Sequence, residues 1–254
     1  MAKRVVFDTQ EAKEFTKVFA QFCSRRSAWS AWSDYITLTA CSISVVVDHS
    51  PERFKERSSL LQTTMDRYTE EEIAQFDAMN TILMDGMTKN PQQDFLGRLY
   101  MSLDFGSTWH GQYFTPWEVS YMMAKMTFAT NPKQAADKPY FSVCDNACGS
   151  GCLLIATAAA YTDLTRENGR YDQDVLFVGQ DMDPVVAKMC YIQLSLLGCA
   201  GYVAVGNSLT TAVKGPDLFP SIGEGGELWF TPMWFTPVWQ GRRDLAYLKA
   251  KLSS

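Results

Sequence analysis

From Thr9 onward, apolar residues return every three or four positions, beginning with Phe15, Val18, Phe19 and Phe22. That spacing predicts a helix with one buried face, opened by Asp8 or Thr9 as its N-cap. The segment Tyr35–Val47 (YITLTACSISVVV) is rich in β-branched residues, which suits a strand, while its length suits a buried helix; periodicity leaves both open. Thr69-Glu70-Glu71-Glu72 forms a capping box ahead of Ile73, Phe76 and Leu83. Asp94 opens a further helix through Phe95, Leu96, Leu99 and Leu103. Residues 1–105 therefore read as a helical N-terminal domain.

After Gly106 the pattern changes. Thr115-Pro116-Trp117-Glu118 makes a second capping box, with proline at the favoured first helical position. Strands fall at Tyr140–Cys144, Val175–Val178 and Tyr202–Val205, separated by helical stretches at Leu153–Leu164 and Pro184–Leu197. Alternation of this kind predicts an α/β domain over residues 106–254, with a mainly parallel sheet covered by helices. Leu218–Gly226 (LFPSIGEGG) reads as a loop.

Composition narrows the picture. The 254 residues can bury a substantial core, and there is no uncharged apolar run of ~18 residues that could span a bilayer. The N-terminus reaches Asp8 and Glu11 before a signal-type apolar core can form, so a cytoplasmic protein without membrane partners is expected. Seven irregularly spaced cysteines then read as reduced thiols. Cys144, Cys148 and Cys152 straddle strand, turn and helix, and the only histidines are His49 and His110, so no metal site is expected. A net charge of −5 makes the isolated chain a poor binder of nucleic acid, because cationic groups dominate that affinity. Arg25 with Arg26, Arg53 with Arg57 and Arg242 with Arg243 are either local basic patches or solvated helix faces.

The candidate chemistry centres on Phe141–Gly151 (FSVCDNACGSG), an apolar run ending in Asp145, a glycine turn, and the helix-like CLLIATAAAYT. A helix that opens this way presents unpaired N–H groups and the positive end of its dipole, and glycines let a ligand approach the main chain. Asp181, just beyond the next apolar strand, would project a carboxylate whose two oxygens suit both hydroxyls of a ribose. The plain alternative is an N-cap ahead of Pro184.

Four blocks in order, GQYFTP (Gly111–Pro116), DNACGSG (Asp145–Gly151), GQDMD (Gly179–Asp183) and VGNSL (Val205–Leu209), resemble the S-adenosylmethionine-dependent DNA adenine methyltransferases. The likeness is to the modification subunits of type I restriction systems in particular, and it covers about residues 94 to 209. It implies a Rossmann-like class I methyltransferase core, S-adenosylmethionine as cofactor, DNA reached through a separate specificity subunit, and assembly as a homo- or hetero-oligomer. It also implies that Asp145, Ala147, Gly149 and Gly151 lie near the methionine part of the cofactor, while Asp181 takes the ribose. Met182 would cover the adenine or else join the core; Asn207, where the family usually carries Asp, and Ser208 would meet the adenine edge or else form a strand-end turn. Phe114, Thr115 and Pro116 would close over the cofactor, with Thr115 equally suited to a helix cap, and the two glycines equally suited to tight strand-to-helix packing.

The resemblance breaks at the Asn-Pro-Pro-aromatic motif, which receives the 6-amino group and stacks on the flipped base. The nearest segment is Thr231-Pro232-Met233-Trp234, following Leu228–Phe230, with a near-copy at Thr236-Pro237-Val238-Trp239. Thr231, Pro232 and Trp234 are thus the catalytic candidates, although Thr231 offers a hydroxyl where a fixed amide oxygen belongs. Phe235–Ser254 is also short for the further strands of a full methyltransferase sheet. The aromatic run from Trp229 to Trp239 either covers a sheet face or meets another subunit. Three functions stay open: an adenine methyltransferase working with a sequence-reading partner, a catalytically silent cofactor-binding regulatory or assembly subunit, and a methyltransferase for RNA or protein.

Overall fold

In the computed structural model, which describes residues 9–103, 105, 114–130, 139–165 and 169–252, the first helices begin on the polar side chains that the sequence places there. Asp8, Gly106, His110 and the Gly111–Tyr113 part of GQYFTP lie outside the described residues. Thr9 Oγ1 accepts the Ala12 N–H at 3.2 Å and opens α1 (Gln10–Phe22), whose Phe15, Phe19 and Phe22 are buried. Ser27 caps α2 (Ala28–Val47), and α3 (Pro51–Met65) starts on proline. The Thr69 box opens α4 (Glu70–Lys89): Thr69 Oγ1 accepts from Glu72 N at 3.3 Å while Glu72 Oε2 accepts from Thr69 N at 2.9 Å. Asp94 caps α5 (Phe95–Ser102).

The ambiguous stretch Tyr35–Val47 is the C-terminal part of α2. Trp32, Tyr35, Ile36, Thr39 and Ala40 share its buried face. A β-branched residue costs a helix only roughly 0.5 kcal/mol, whereas burying a large apolar side chain contributes about 1.5–3 kcal/mol; tertiary packing wins.

The second half alternates as α6 (Trp117–Thr130), β1 (Phe141–Asp145), α7 (Cys152–Thr165), α8 (Tyr171–Asp174), β2 (Val175–Asp181), α9 (Pro184–Leu196), β3 (Ala200–Val205) and β4 (Glu227–Phe230). A 3₁₀ turn at Pro232–Phe235 and α10 (Pro237–Leu252) follow. The first hydrogen bond of α6 runs from Ser120 N to Pro116 O at 3.0 Å, so the cap position belongs to Pro116 and not, as expected, to Thr115. The sheet order is β1-β2-β3-β4. The first three strands are parallel, with Asp145 opposite Gly179 and Asp181 opposite Val205. β4 is antiparallel, with Phe230 opposite Tyr202. The result is a mostly parallel mixed sheet in an α/β architecture.

Helix α9 is buried continuously from Val185 to Ser195 because it lies between the sheet and helices α2, α4 and α5. One hydrophobic core accordingly runs from Phe15 through α9 to Val203 and Trp229. On the other sheet face Leu176, Val178 and Tyr202 pack under Phe230, Trp234 and Trp239, so the aromatic run covers the sheet. Among the described residues no helix is long and apolar enough to cross a membrane.

The basic pairs largely serve this packing. Arg26 pairs with Glu72 at 2.6 Å, and Arg243 donates to the Trp234 carbonyl at 2.9 Å. Arg242 donates to the carbonyls of Pro139 and Gln173. Arg57 is buried and ties three elements together: its guanidinium donates to Ser44 Oγ at 2.5 Å, Asp48 Oδ2 at 3.2 Å and the Leu228 carbonyl at 2.5 Å, 4.1 Å from the Trp229 ring centroid. Burial lowers its pKa, and the Asp48 charge opposes that shift. Replacing Arg57 with Met leaves the Leu228 carbonyl without this donor and takes from Asp48 one of the two arginines that pair with it. We expect a loss of about 3 kcal/mol in urea denaturation; a loss below roughly 1 kcal/mol would show that the buried cation does not join the helices to β4.

Candidate functional site

Three parallel strands deliver their C-terminal ends to one edge of the sheet, the edge at which ligands of open α/β sheets bind. Asp145 ends β1 and Asp181 ends β2 there. Between β1 and α7 the chain turns through Gly149 at φ 55° and Gly151 at φ 97°, left-handed values that other residues adopt only under strain. A Cβ on Gly151 would stand 2.8 Å from Cys190 Sγ of α9, so this glycine has the steric role of close packing. Among the described residues, a Cβ on Gly149 would meet the Phe114 ring alone, at 3.2 Å.

Asp181 reaches back to this turn. Its Oδ2 accepts from Gly149 N at 2.9 Å and its Oδ1 from Asp183 N at 3.0 Å. The cap of α9 is instead Asp183, which accepts from Val185 N at 2.8 Å and Val186 N at 3.2 Å. Asp181 is therefore not a helix cap, and each of its oxygens keeps a further lone pair for an incoming donor. Asp145 Oδ1 accepts from Ala147 N at 3.1 Å. Burial raises the Asp145 pKa, the Asp181 charge adds to the rise, and the Ala147 bond opposes it. Two carboxylates near the first amides of α7 favour a ligand that carries both cationic and anionic groups.

A buried polar junction lies behind the turn. Ser150 Oγ donates to Asp94 Oδ2 at 2.5 Å, and Gln193 Nε2 donates to Asp94 Oδ1 and to the Ser150 carbonyl, each at 2.8 Å. Gln193 Oε1 accepts from Leu96 N at 3.0 Å, and Asp94 Oδ1 also accepts from Gly97 N at 2.9 Å. Burial raises the Asp94 pKa against these hydrogen bonds. Sequence reasoning took Asp94 only as a cap and passed over Gln193. The available signal was a glutamine in a mostly apolar helix, since a buried polar residue is more informative than a buried apolar one.

The remaining candidates are distributed as follows. Met182, beside Asp181, is 68% exposed and does not belong to the core. The Phe114 ring lies 5.1 Å from that of Tyr100 and helps line a hollow of 220 Å³ with Asp145, Ala147, Gly149 and Ser150. Thr115 lines that hollow too, and with Phe114 and Pro116 it also borders a larger cavity of 500 Å³ between α5 and the start of α6. Asn207 Oδ1 accepts from Leu209 N at 2.8 Å, so its amide oxygen serves a turn after β3.

Thr231, Pro232 and Trp234 are not brought to this edge. Because β4 runs antiparallel, its end lies at the opposite edge, beside the start of β3. There the fully buried Thr231 Oγ1 donates to the Cys199 carbonyl at 2.7 Å and accepts from Gly201 N at 3.0 Å. Trp234 is 6% exposed and packs on Tyr202 and Phe230. The structure does not bring these three catalytic candidates to the glycine turn: strand direction places them at the far side of the sheet. Among the described residues, no three His, Cys, Asp or Glu side chains group as a metal site.

Residues 92–217 match the N-6 DNA methylase family. The chain is also similar to a crystal structure from Listeria monocytogenes assigned to the class I S-adenosylmethionine-dependent methyltransferases, at 17% identity and a TM-score of 0.38, over 90% of this chain and 71% of that one. A structural likeness of that degree carries no argument about function. No curated protein sequence matches significantly.

Two stability measurements check this geometry. Thr231→Val keeps the shape but removes the hydroxyl, and it should cost about 1–3 kcal/mol in denaturant unfolding; no loss would contradict the structural role of Thr231. For Asp94, a raised pKa in the fold means that its contribution is fully present below the ordinary value of 3.8 and is lost as pH rises through the folded value. The stability of Asp94→Asn relative to the unmodified protein should therefore improve as the pH rises above the ordinary value of 3.8; a difference independent of pH would contradict it.

Proposed function

We propose, from the match of residues 92–217 to the N-6 DNA methylase family, that the chain serves S-adenosylmethionine-dependent methylation of the adenine 6-amino group in DNA, in the manner of a type I restriction-modification M subunit. The cofactor of this family is S-adenosylmethionine, which joins a cationic sulfonium and ammonium to a carboxylate, a ribose and an adenine. The single observation that carries the reading is the Asp181 carboxylate, bonded to the amide of Gly149 across two strand ends.

The residues present fit that ligand. The second lone pairs of Asp181 accept the two ribose hydroxyls, and the field of Asp145 and Asp181 favours the cationic groups. The amides that open α7 suit the carboxylate. Ala147 and Gly149 let that group approach the main chain, and Gly151 holds the turn against α9. The exposed Met182 offers an apolar cover for the adenine, and the Asn207 amide group a donor to its edge. Phe114 flanks the turn on its open side, with Thr115 and Pro116 shaping the approach. When bound, the cofactor supplies a methyl group made electrophilic by its sulfonium. The protein's part is orientation and exclusion of water.

DNA reaches this site through a separate specificity subunit, within a homo- or hetero-oligomer in the cytoplasm. The net charge of −5 and the use of Arg26, Arg57, Arg242 and Arg243 in internal contacts support that division of labour. A second reading is favoured by the placement of Thr231: a regulatory or assembly subunit that binds the cofactor and transfers nothing.

Calorimetric titration with S-adenosylmethionine, followed by labelled-methyl transfer to DNA with and without specificity partners, separates these readings. Binding should be observed, and Asp181→Ala should weaken it at least about tenfold. Transfer in the presence of a partner supports the first reading, binding without transfer in any pairing supports the second, and absence of binding contradicts both.

A further inference from the structure

Among the described residues the glycine turn meets the helical body through one buried polar junction, and we propose that Asp94, Gly97 and Gln193 are positioning residues that clamp this turn in its ligand-receiving shape. The inference rests on the cofactor reading of the turn given above. Asp94, Ser150 and Gln193 are 4%, 1% and 0% exposed, and buried polar groups of this kind are costly unless their partners are all in place. Ser150 is flanked by the two left-handed glycines, so within Gly149–Gly151 it alone carries a side chain by which the helical body can hold the turn. Asp94 takes that hydroxyl, and Gln193 takes the Ser150 carbonyl with one end of its amide and Leu96 N of α5 with the other.

Gly97 supplies the space. It has no left-handed φ to explain it, yet a Cβ there would lie 2.0 Å from Asp94 Oδ2 and 2.3 Å from Ser150 Oγ. Any side chain at this position drives the carboxylate and the hydroxyl apart. Neither Asp94 nor Gln193 lines the hollow at the strand ends, whereas Ser150 does, so both act through the turn. With Asp181 bonded to Gly149 in front and Asp94 bonded to Ser150 behind, the turn is held from both sides. Without the rear clamp its backbone gains freedom, and ordering it again becomes part of the cost of binding.

The test uses the full chain and two readouts, amide hydrogen exchange without ligand and calorimetric titration with S-adenosylmethionine. In Ser150→Ala and Gly97→Ala, exchange of the turn amides at 147–151 should speed up about tenfold while amides of β2 and β3 keep their rates. The affinity for S-adenosylmethionine should fall about five- to tenfold in the same variants. Asp94→Ala should behave like Ser150→Ala. Asp94→Asn keeps an acceptor for Gly97 N and Gln193 Nε2 and turns an amide donor toward the Ser150 hydroxyl, so it should stay within about threefold of the unmodified protein. Unchanged exchange in the turn, or exchange that rises equally in β2 and β3, overturns the proposal, as does a loosened turn with unchanged affinity. If Gly97→Ala fails to fold, Ser150→Ala, which removes one hydroxyl, still decides. An unmodified chain that does not bind S-adenosylmethionine overturns the cofactor reading, while the exchange measurement decides the clamp by itself.

Discussion

The chain between β1 and α7 is shaped by hydrogen bonds to two carboxylates on opposite sides, Asp181 at Gly149 and Asp94 at Ser150. Neither alone would fix a turn that contains two glycines, because glycine surrenders more conformational freedom on folding than any other residue. The front contact joins the turn to the neighbouring strand, and the rear one joins it to α5 and α9. The geometry of the strand-end edge thus depends on the helical body as well as on the sheet. The continuous core from α1 to β3 supplies the rigidity that this arrangement requires.

Strand direction decides which chemistry shares that edge. The parallel strands bring Asp145 and Asp181 together, and the antiparallel β4 carries Thr231 away from them. At its own edge Thr231 does what a buried hydroxyl can do well: it closes the end of β3 by bonding the main chain on either side of Ala200. The aromatic residues that follow cover the sheet face that α9 leaves open. A segment that resembles a target-base loop in composition is, in this fold, a strand terminus and a packing layer.

What was legible in the sequence was local. The caps at Thr9, Thr69 and Asp94, the first three strands, the glycine turn and the position of Asp181 all follow from spacing over a few residues. Tyr35–Val47 was ambiguous because β-branched propensity and burial pull in opposite directions, and only the packing of α2 on its neighbours decides between them. The direction of β4 was not legible, since nothing within Glu227–Phe230 distinguishes a parallel from an antiparallel partner. The Asp94–Ser150–Gln193 junction was hidden for a related reason: its members are far apart in sequence, and each has an ordinary local role.

The most direct test of the account is a crystal structure of the complex with S-adenosylhomocysteine. The account predicts both ribose hydroxyls within about 2.6–3.2 Å of the Asp181 carboxylate, and backbone displacement of Gly149–Gly151 below about 1 Å relative to the free protein. A ligand seated in the larger cavity beside α5, or one that leaves Asp181 without contact, would contradict it.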